Sequence, residues 1–166
     1  MKVLMIFLII VLTVSLLALK KTWGLYKNSN GLYEKTTGEM RHIIETYDIW
    51  MRLVQDGYSV KEYLREKGIK TLALCRLTEI GIRLLWELKN SDIEIKYVID
   101  AENVKLRDIK YVSLDEECTE EVDMVIITDM FDFSSVKEAL MKKGYKSIDS
   151  IDGILYAMLK KQAEDQ

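Results

Sequence analysis

The sequence predicts an α/β fold: a parallel five-stranded sheet, covered by helices on both faces and carried on one amino-terminal transmembrane helix. Three observations predict it. From Ser59 to Gln166, helical patterns alternate with apolar runs of strand length, and such alternation produces a parallel sheet with its crossovers packed on both faces. Thr71 to Asp100 reads as one complete strand–turn–helix–strand unit. Val3 to Leu19 is a run of 17 residues without a charge.

That apolar run is interrupted only by Thr13 and Ser15, and is bounded by Lys2 and by Lys20-Lys21. As a helix it is about 25 Å long, enough for a thin or locally thinned bilayer. A cleaved signal peptide is the competing reading, since its apolar region is often this short. Leu16-Leu17-Ala18-Leu19-Lys20 offers no small-x-small cleavage site, so Met1 to Lys21 is expected to remain as an anchor. Lys20, Lys21, Lys27, Lys35 and Arg41 follow the span, whereas Lys2 alone precedes it. Basic residues stay on the cytoplasmic side, which places the globular part in the cytoplasm at the cell membrane. Cys75 and Cys118 have no Cys-x-x-Cys neighbour, and a reduced pair fits that compartment.

Without Met1 to Lys21, 21 Lys and Arg stand against 27 Asp and Glu, a net charge of −6. No basic stripe is left to neutralise phosphates, which excludes nucleic acid as a partner. Asp115-Glu116-Glu117 and Glu120-Glu121 form an acidic cluster without a nearby histidine, read as a solvated loop rather than a metal site.

Thr22 to Glu39 is polar and contains Gly24, Gly31 and Gly38; it reads as a linker. Between Met40 and Tyr58, Ile43, Tyr47, Trp50, Met51 and Val54 recur at helical spacing and predict a juxtamembrane amphipathic helix. His42, the only histidine, is read as structural and receives no catalytic role. Ser59-Val60-Lys61-Glu62 is a capping box opening a helix that Gly68 closes.

The strands follow. Thr71 to Cys75 is the first, succeeded by a helix from Glu79 to Lys89. Ile93 to Ile99 is the second, and Lys110 to Ser113 a short third. Val122 to Thr128 is the most apolar and is expected at the centre. Ser135-Val136-Lys137-Glu138 repeats the capping box, in a helix from Ser134 to Lys143 with Gly144 after it. Ser59 to Lys70 and Ser135 to Lys146 agree at 8 of 12 positions, read as two solutions to one helix-to-strand problem. Tyr145 to Asp149 is the last strand. Ile151, Ile154, Leu155, Met158 and Leu159 make a final helix that frays from Lys160 to Gln166. Right-handed crossovers then favour the strand order 3-2-1-4-5.

In the dinucleotide-binding fold, the first turn carries G-x-G-x-x-G and an acidic residue lies about 20 positions on. Here Arg76, Thr78 and Gly81 hold the glycine places, and Asp100 lies 19 residues beyond Gly81. The unit is Rossmann-like with a degenerate glycine motif. Ligands of such sheets bind at the carboxyl ends of the strands where the order reverses, which sets Arg76 to Gly81 beside Thr128-Asp129-Met130. The candidate cofactor-binding residues are Arg76, Thr78, Gly81, Asp100 and Thr128, with NAD(P) or a nucleotide sugar as ligand. Phosphates would lie over the amino end of the Glu79 helix, and Asp100 would accept from ribose hydroxyls. Against this, Thr78 sets a branched side chain where phosphate belongs, and Glu79 adds a negative charge. Arg76 reads either as a phosphate ligand or as a solvated turn residue. No catalytic set is found. Tyr63/Lys67 and Tyr156/Lys160 match Tyr-x-x-x-Lys, a pattern of low information, and are read as structural pairs.

A further signal lies in Tyr47-Asp48-Ile49-Trp50, Glu62-Tyr63-Leu64, Gly81 with Leu84-Leu85, Tyr97-Val98-Ile99-Asp100, and Val122-Asp123-Met124-Val125-Ile126-Ile127-Thr128. Through these residues Tyr47 to Met158, about two thirds of the chain, resembles a Rossmann-type domain of bacterial surface-polysaccharide gene clusters. Such domains occur alone or attached to glycosyltransferases and nucleotide-sugar enzymes. Where that family has Tyr-Gly-x-Gly, this chain has Cys75-Arg76-Leu77-Thr78. The resemblance implies the fold and a glycan context. The altered turn points to a non-catalytic module that tethers or regulates polysaccharide-assembly enzymes, with a nucleotide or nucleotide sugar as an optional ligand. Its partner surfaces would be the helices Met40 to Val54 and Ile151 to Leu159, facing glycan-assembly enzymes or a second copy of the chain. The alternative is an NAD(P)-dependent oxidoreductase or epimerase acting on a nucleotide sugar, with Gly81 and Asp100 holding the cofactor.

Overall fold

The computed structural model describes residues 2–99, 109–116 and 120–165, with the side chains of 2–4 and 8–11 excepted. The chain forms two compact units, Met1–Ile44 and Glu45–Gln166. Helix α1 (Lys2–Gln55) supplies all of the first unit's described structure and the opening of the second. It includes one stretch long and apolar enough to cross a membrane.

The segment 22–39, expected as a linker, is helical throughout. The chain contains no proline, so nothing removes a backbone donor or blocks the preceding turn. Each isolated glycine weakens a helix by about 1 kcal/mol relative to alanine without ending it. The polar side chains turn back onto the helix: Thr22 Oγ1 donates to the carbonyls of Ala18 (3.1 Å) and Leu19 (2.9 Å), and Thr36 Oγ1 to that of Leu32 (3.0 Å).

In the second unit, α1 is followed by α2 (Val60–Glu66), β1 (Thr71–Cys75), α3 (Glu79–Leu88), β2 (Glu94–Ile99), β3 (Tyr111–Val112), β4 (Met124–Ile127), α4 (Phe133–Lys142), β5 (Ile148–Ser150) and α5 (Ile151–Asp165). The five strands form one parallel sheet of order β3-β2-β1-β4-β5, the Rossmann-like arrangement expected from the sequence. β1 holds the centre, and β4, expected there, lies beside it as an interior strand. Leu72, Ala73, Leu74 and Cys75 are all fully buried, as a strand covered on both faces requires. Ala73, Cys75, Tyr97, Ile99, Val125 and Ile127 pack on Val136 and Leu140 of α4. The alternate residues Leu72, Leu74, Val98 and Ile126 point to the opposite face and are equally buried. The buried phenol of Tyr97 donates to the Glu120 carbonyl (3.0 Å) and lies 3.2 Å from the Tyr145 hydroxyl, which satisfies its polar end.

Three local readings are corrected. The face of α1 buried in the second unit is Thr46, Ile49, Trp50 and Leu53, whereas Met51 and Val54 are 56% and 48% exposed. The Trp50 indole donates to Glu87 Oε2 at 2.7 Å, and its neighbours at helical spacing turn inward with it. α4 begins at Phe133 with Asp132 at the N-cap position, so Ser135 does not open it. Its hydroxyl instead donates to the Asp132 carbonyl (3.1 Å) and to the Asp132 carboxylate. Finally, α5 continues to Asp165 rather than fraying at Lys160. Gln162 is buried and donates to Asp56 Oδ2 at 2.6 Å, Lys161 pairs with Glu66, and Tyr58 donates to Asp165 at 3.4 Å. The capping box at Ser59 forms as expected on its serine side: Ser59 Oγ accepts from Glu62 N at 3.2 Å.

Candidate functional site at the sheet crossover

The carboxyl ends of β1 and β4 meet where the strand order reverses. Leaving β1, the chain turns through Arg76, which adopts a left-handed φ of 56°. That conformation costs a non-glycine residue on the order of 1 kcal/mol, and its surroundings hold it there. Arg76 N donates to the Ile99 carbonyl at 2.9 Å. The guanidinium reaches Asp129 Oδ2 at 3.0 Å and Asp132 Oδ2 at 3.1 Å.

Thr78 is the N-cap of α3, and its hydroxyl oxygen accepts from Gly81 N at 3.4 Å. Thr78 N donates to Thr128 Oγ1 at 3.2 Å, and Thr78 Oγ1 to the Thr128 carbonyl at 3.0 Å. Thr128 hangs from the end of β4, with its own N–H on the Cys75 carbonyl at 3.0 Å. It is buried, and its hydroxyl donates to the Arg76 carbonyl. Gly81 lies directly against it: a Cβ there would meet Thr128 Oγ1 at 2.8 Å and Cγ2 at 2.9 Å.

The structure thus brings together four of the five sequence-predicted residues, Arg76, Thr78, Gly81 and Thr128, and Asp100 lies outside the described residues. What they bind in this arrangement is one another. The Thr78 and Thr128 side chains meet over the first turn of α3, where a phosphate would rest, with their oxygens 3.2 Å apart. The guanidinium is matched by two carboxylates and followed by Glu79 in the first turn. Such a setting favours an internal ion pair over capture of a further anion. Of the glycine roles, the third survives, close helix–strand packing.

Asp129, expected beside the Arg76 turn but given no role, and Asp132, which the sequence reading did not include, complete the site as partners of Arg76. The signal available in the sequence was two acidic residues three apart after an apolar strand, opposite an arginine in the facing turn. The Tyr/Lys pairs are surface features: the Lys67 ammonium lies over the Tyr63 ring at 5.6 Å, and Lys160 faces Glu164 at 4.0 Å. Burial raises the Tyr63 phenol above its ordinary pKa, with the Asp149 charge adding to the effect, which is opposite to what a phenolate base needs. Elsewhere, a cavity of about 630 Å³ lies between the end of α3 and the start of β2, lined by Leu85, Trp86, Leu88, Ile93, Ile95 and Ile109 among others. On its charged rim Asp92 pairs with Arg65 at 2.7 Å and Glu94 with Lys96 at 2.7 Å, and the Lys89 ammonium lies over the Trp86 ring at 4.6 Å. Among the described residues, no group of three His, Cys, Asp or Glu side chains is placed to hold a metal ion.

No family model, no curated protein and no solved structure matches the chain. The glycan context therefore rests on the sequence resemblance alone.

Proposed function

We propose that this protein is a membrane-anchored, non-catalytic Rossmann-like module, held on the cytoplasmic face, that tethers or regulates enzymes of surface-polysaccharide assembly. The observation that carries the reading is the occupied crossover. Arg76, Asp129 and Asp132 pair there, and Thr78 and Thr128 bridge the first turn of α3. Positions that cradle a pyrophosphate in a working dinucleotide site are here engaged with one another. Of the two helices expected as partner surfaces, the apolar face of α5 (Ile151, Ile154, Leu155 and Met158) is buried in the domain, which leaves the exposed residues of 40–54, Met40, Ile44, Met51 and Val54 among them, for a partner. The basic residues after the apolar stretch, Lys20, Lys21, Lys27, Lys35 and Arg41, support the cytoplasmic side. The glycan context comes from the resemblance over Tyr47 to Met158.

Affinity isolation of the tagged full-length chain from its native membranes tests both halves. Co-purification of glycosyltransferases or nucleotide-sugar enzymes, with no conversion of nucleotide sugars by the pure chain, is expected. Turnover of a nucleotide sugar with NAD(P) by the pure chain, and no glycan-assembly enzyme recovered, would overturn the proposal.

A further inference from the structure

We propose that two copies of this chain pair in parallel through a coiled-coil seam on the part of α1 within Met1–Ile44. The inference uses the anchor but not the glycan context. Every seventh residue from Leu12 is apolar: Leu19, Tyr26, Tyr33 and Met40 follow it. Interleaved four residues after each, in the same register, stand Leu16, Trp23, Asn30, Thr37 and Ile44. The combined 4-3 spacing is that of a heptad seam, with Asn30 and Thr37 its two polar members. The large apolar members are all exposed, from 54% at Leu12 to 73% at Tyr33, so the described chain itself does not cover them. Trp23 and Tyr26 already lie ring to ring along this stripe, centroids 6.0 Å apart.

The period identifies the kind of partner. A straight helix drifts by about 20° per heptad, so four strict heptads from Leu12 to Met40 would wander about 80° off a flat surface. Lipid covers Leu12, Leu16 and Leu19 within the span, and beyond it a supercoiled helical partner keeps the stripe from Trp23 to Ile44 covered. The helix also needs such support. Outside the apolar span, 22–44 contains Gly24, Gly31 and Gly38 with many Ser, Thr and Asn residues, and a solitary helix of that composition is marginal in water.

The polar layers identify the partner as a second copy. Asn30 falls at a core position, where an amide is satisfied by the same amide of an in-register parallel twin and otherwise imposes a cost. Two identical anchors fix the depth and direction of both helices, which gives that register. Flanking charges do not oppose it: in a parallel pair Lys27, Glu34 and Arg41 each face Thr22, Ser29 or Thr36 of the twin rather than a like charge. The three glycines lie on a separate stripe, about 100° round the helix from Trp23, Asn30 and Thr37. In the second unit the same spacing continues at Tyr47, Met51 and Val54, beside the buried face of Thr46, Ile49, Trp50 and Leu53.

Single cysteines substituted in turn for each residue from Thr22 to Met40, in the full-length chain carrying Cys118→Ser and retaining the buried Cys75, test this by oxidative cross-linking in native membranes. Dimer yield is expected to rise several-fold at Trp23, Tyr26, Asn30, Tyr33 and Thr37, and to fall at Asn28 and Lys35. A second variant, Asn30→Lys, should depress cross-linking at Tyr26 and Tyr33 without loss of membrane-bound protein. Maxima at Gly24, Gly31 and Gly38, a flat profile, or no dimer band would overturn the proposal, the last indicating lipid or a different protein on this face.

Discussion

Gly81 and Thr128 stand so close at the head of the sheet that a single added methyl at Gly81 would overlap the threonine, 2.8 Å from its Oγ1. Both neighbours are fixed, Gly81 in the first turn of α3 and Thr128 by its hydroxyl and backbone bonds. Gly81→Ala is therefore expected to destabilise the domain by about 1–3 kcal/mol, the range for overpacking a tight site. Combined with Thr128→Ala, its cost should be less than the sum of the two single changes, because the second removes the atoms that the first strikes. Denaturant unfolding of the four forms measures the coupling; strict additivity would show that the contact is not tight.

Arg76 separates backbone strain from ion pairing. Arg76→Ala loses both carboxylate contacts and keeps a left-handed residue with a Cβ, whereas Arg76→Gly loses the same contacts but relieves the backbone. Half-exposed ion pairs contribute at most about 1 kcal/mol each, and the left-handed relief is about 1 kcal/mol. The glycine variant should accordingly be near wild type and about 1 kcal/mol more stable than the alanine variant, read from equilibrium unfolding. Arg76→Gly with Thr78→Gly should also reopen the turn, and any nucleotide binding so gained should be lost on adding Asp100→Ala.

Glu87 joins three elements. Its carboxylate accepts from the Trp50 indole at 2.7 Å and from Val60 N at 2.7 Å, tying the last turns of α1 to the start of α2. Glu87→Ala leaves both donors without that acceptor and is expected to cost about 2–3 kcal/mol, the scale of hydrogen bonds to a charged group. Glu87→Gln keeps one carbonyl oxygen and should cost less. Melting temperatures of the two variants check the order, and a blue-shifted or broadened Trp50 emission in Glu87→Ala alone would locate the change.

Acid should weaken the fold partly through Asp123. The N–H groups of Lys70 and Thr71, each 2.8 Å from Asp123 Oδ2, together with the Thr71 hydroxyl at 3.0 Å, hold its carboxyl below the ordinary aspartate pKa. A folded value below the unfolded one means that the ionised group stabilises above about pH 4 and loses this as pH falls through the depressed value. Asp123→Asn should flatten that part of the stability curve below pH 4. At neutral pH it should cost about 1 kcal/mol, the carboxylate being exposed. An unchanged acid limb would assign the acid sensitivity to other groups.

The sheet was legible because its strands are short apolar runs separated by capped helices, and because handedness leaves few orders for five such strands. The site was legible as a place but not as an arrangement. Position in the motif and the expected strand order located Arg76, Thr78, Gly81 and Thr128 and set Asp129 beside them; neither showed that Asp129 and the more distant Asp132 would pair with Arg76 once β4 lies beside β1. The errors have local causes. The polar, glycine-bearing segment 22–39 reads as a linker from its composition, yet isolated glycines weaken a helix without ending it and no proline interrupts this one. The buried face of α1 combines apolar Ile49 and Leu53 with Thr46 and with Trp50, whose indole N–H meets Glu87, a long-range partner that helical spacing alone does not show. The end of α5 was misjudged because polar Gln162 is buried through its bond to Asp56, a long-range contact that no local pattern carries.

The crossover is filled by the chain's own side chains, and the proposed function requires that nucleotides do not displace them. Thermal unfolding of the full-length chain in detergent, with and without NAD, NADP and a panel of nucleotide sugars, tests it most directly. A ligand at 100 times its dissociation constant would stabilise the fold by about 2.7 kcal/mol, enough to raise the melting temperature by several degrees. No shift is expected for wild type at millimolar ligand. A reproducible rise of several degrees with any of these ligands, lost in Arg76→Ala, would make Arg76 a phosphate ligand and contradict it.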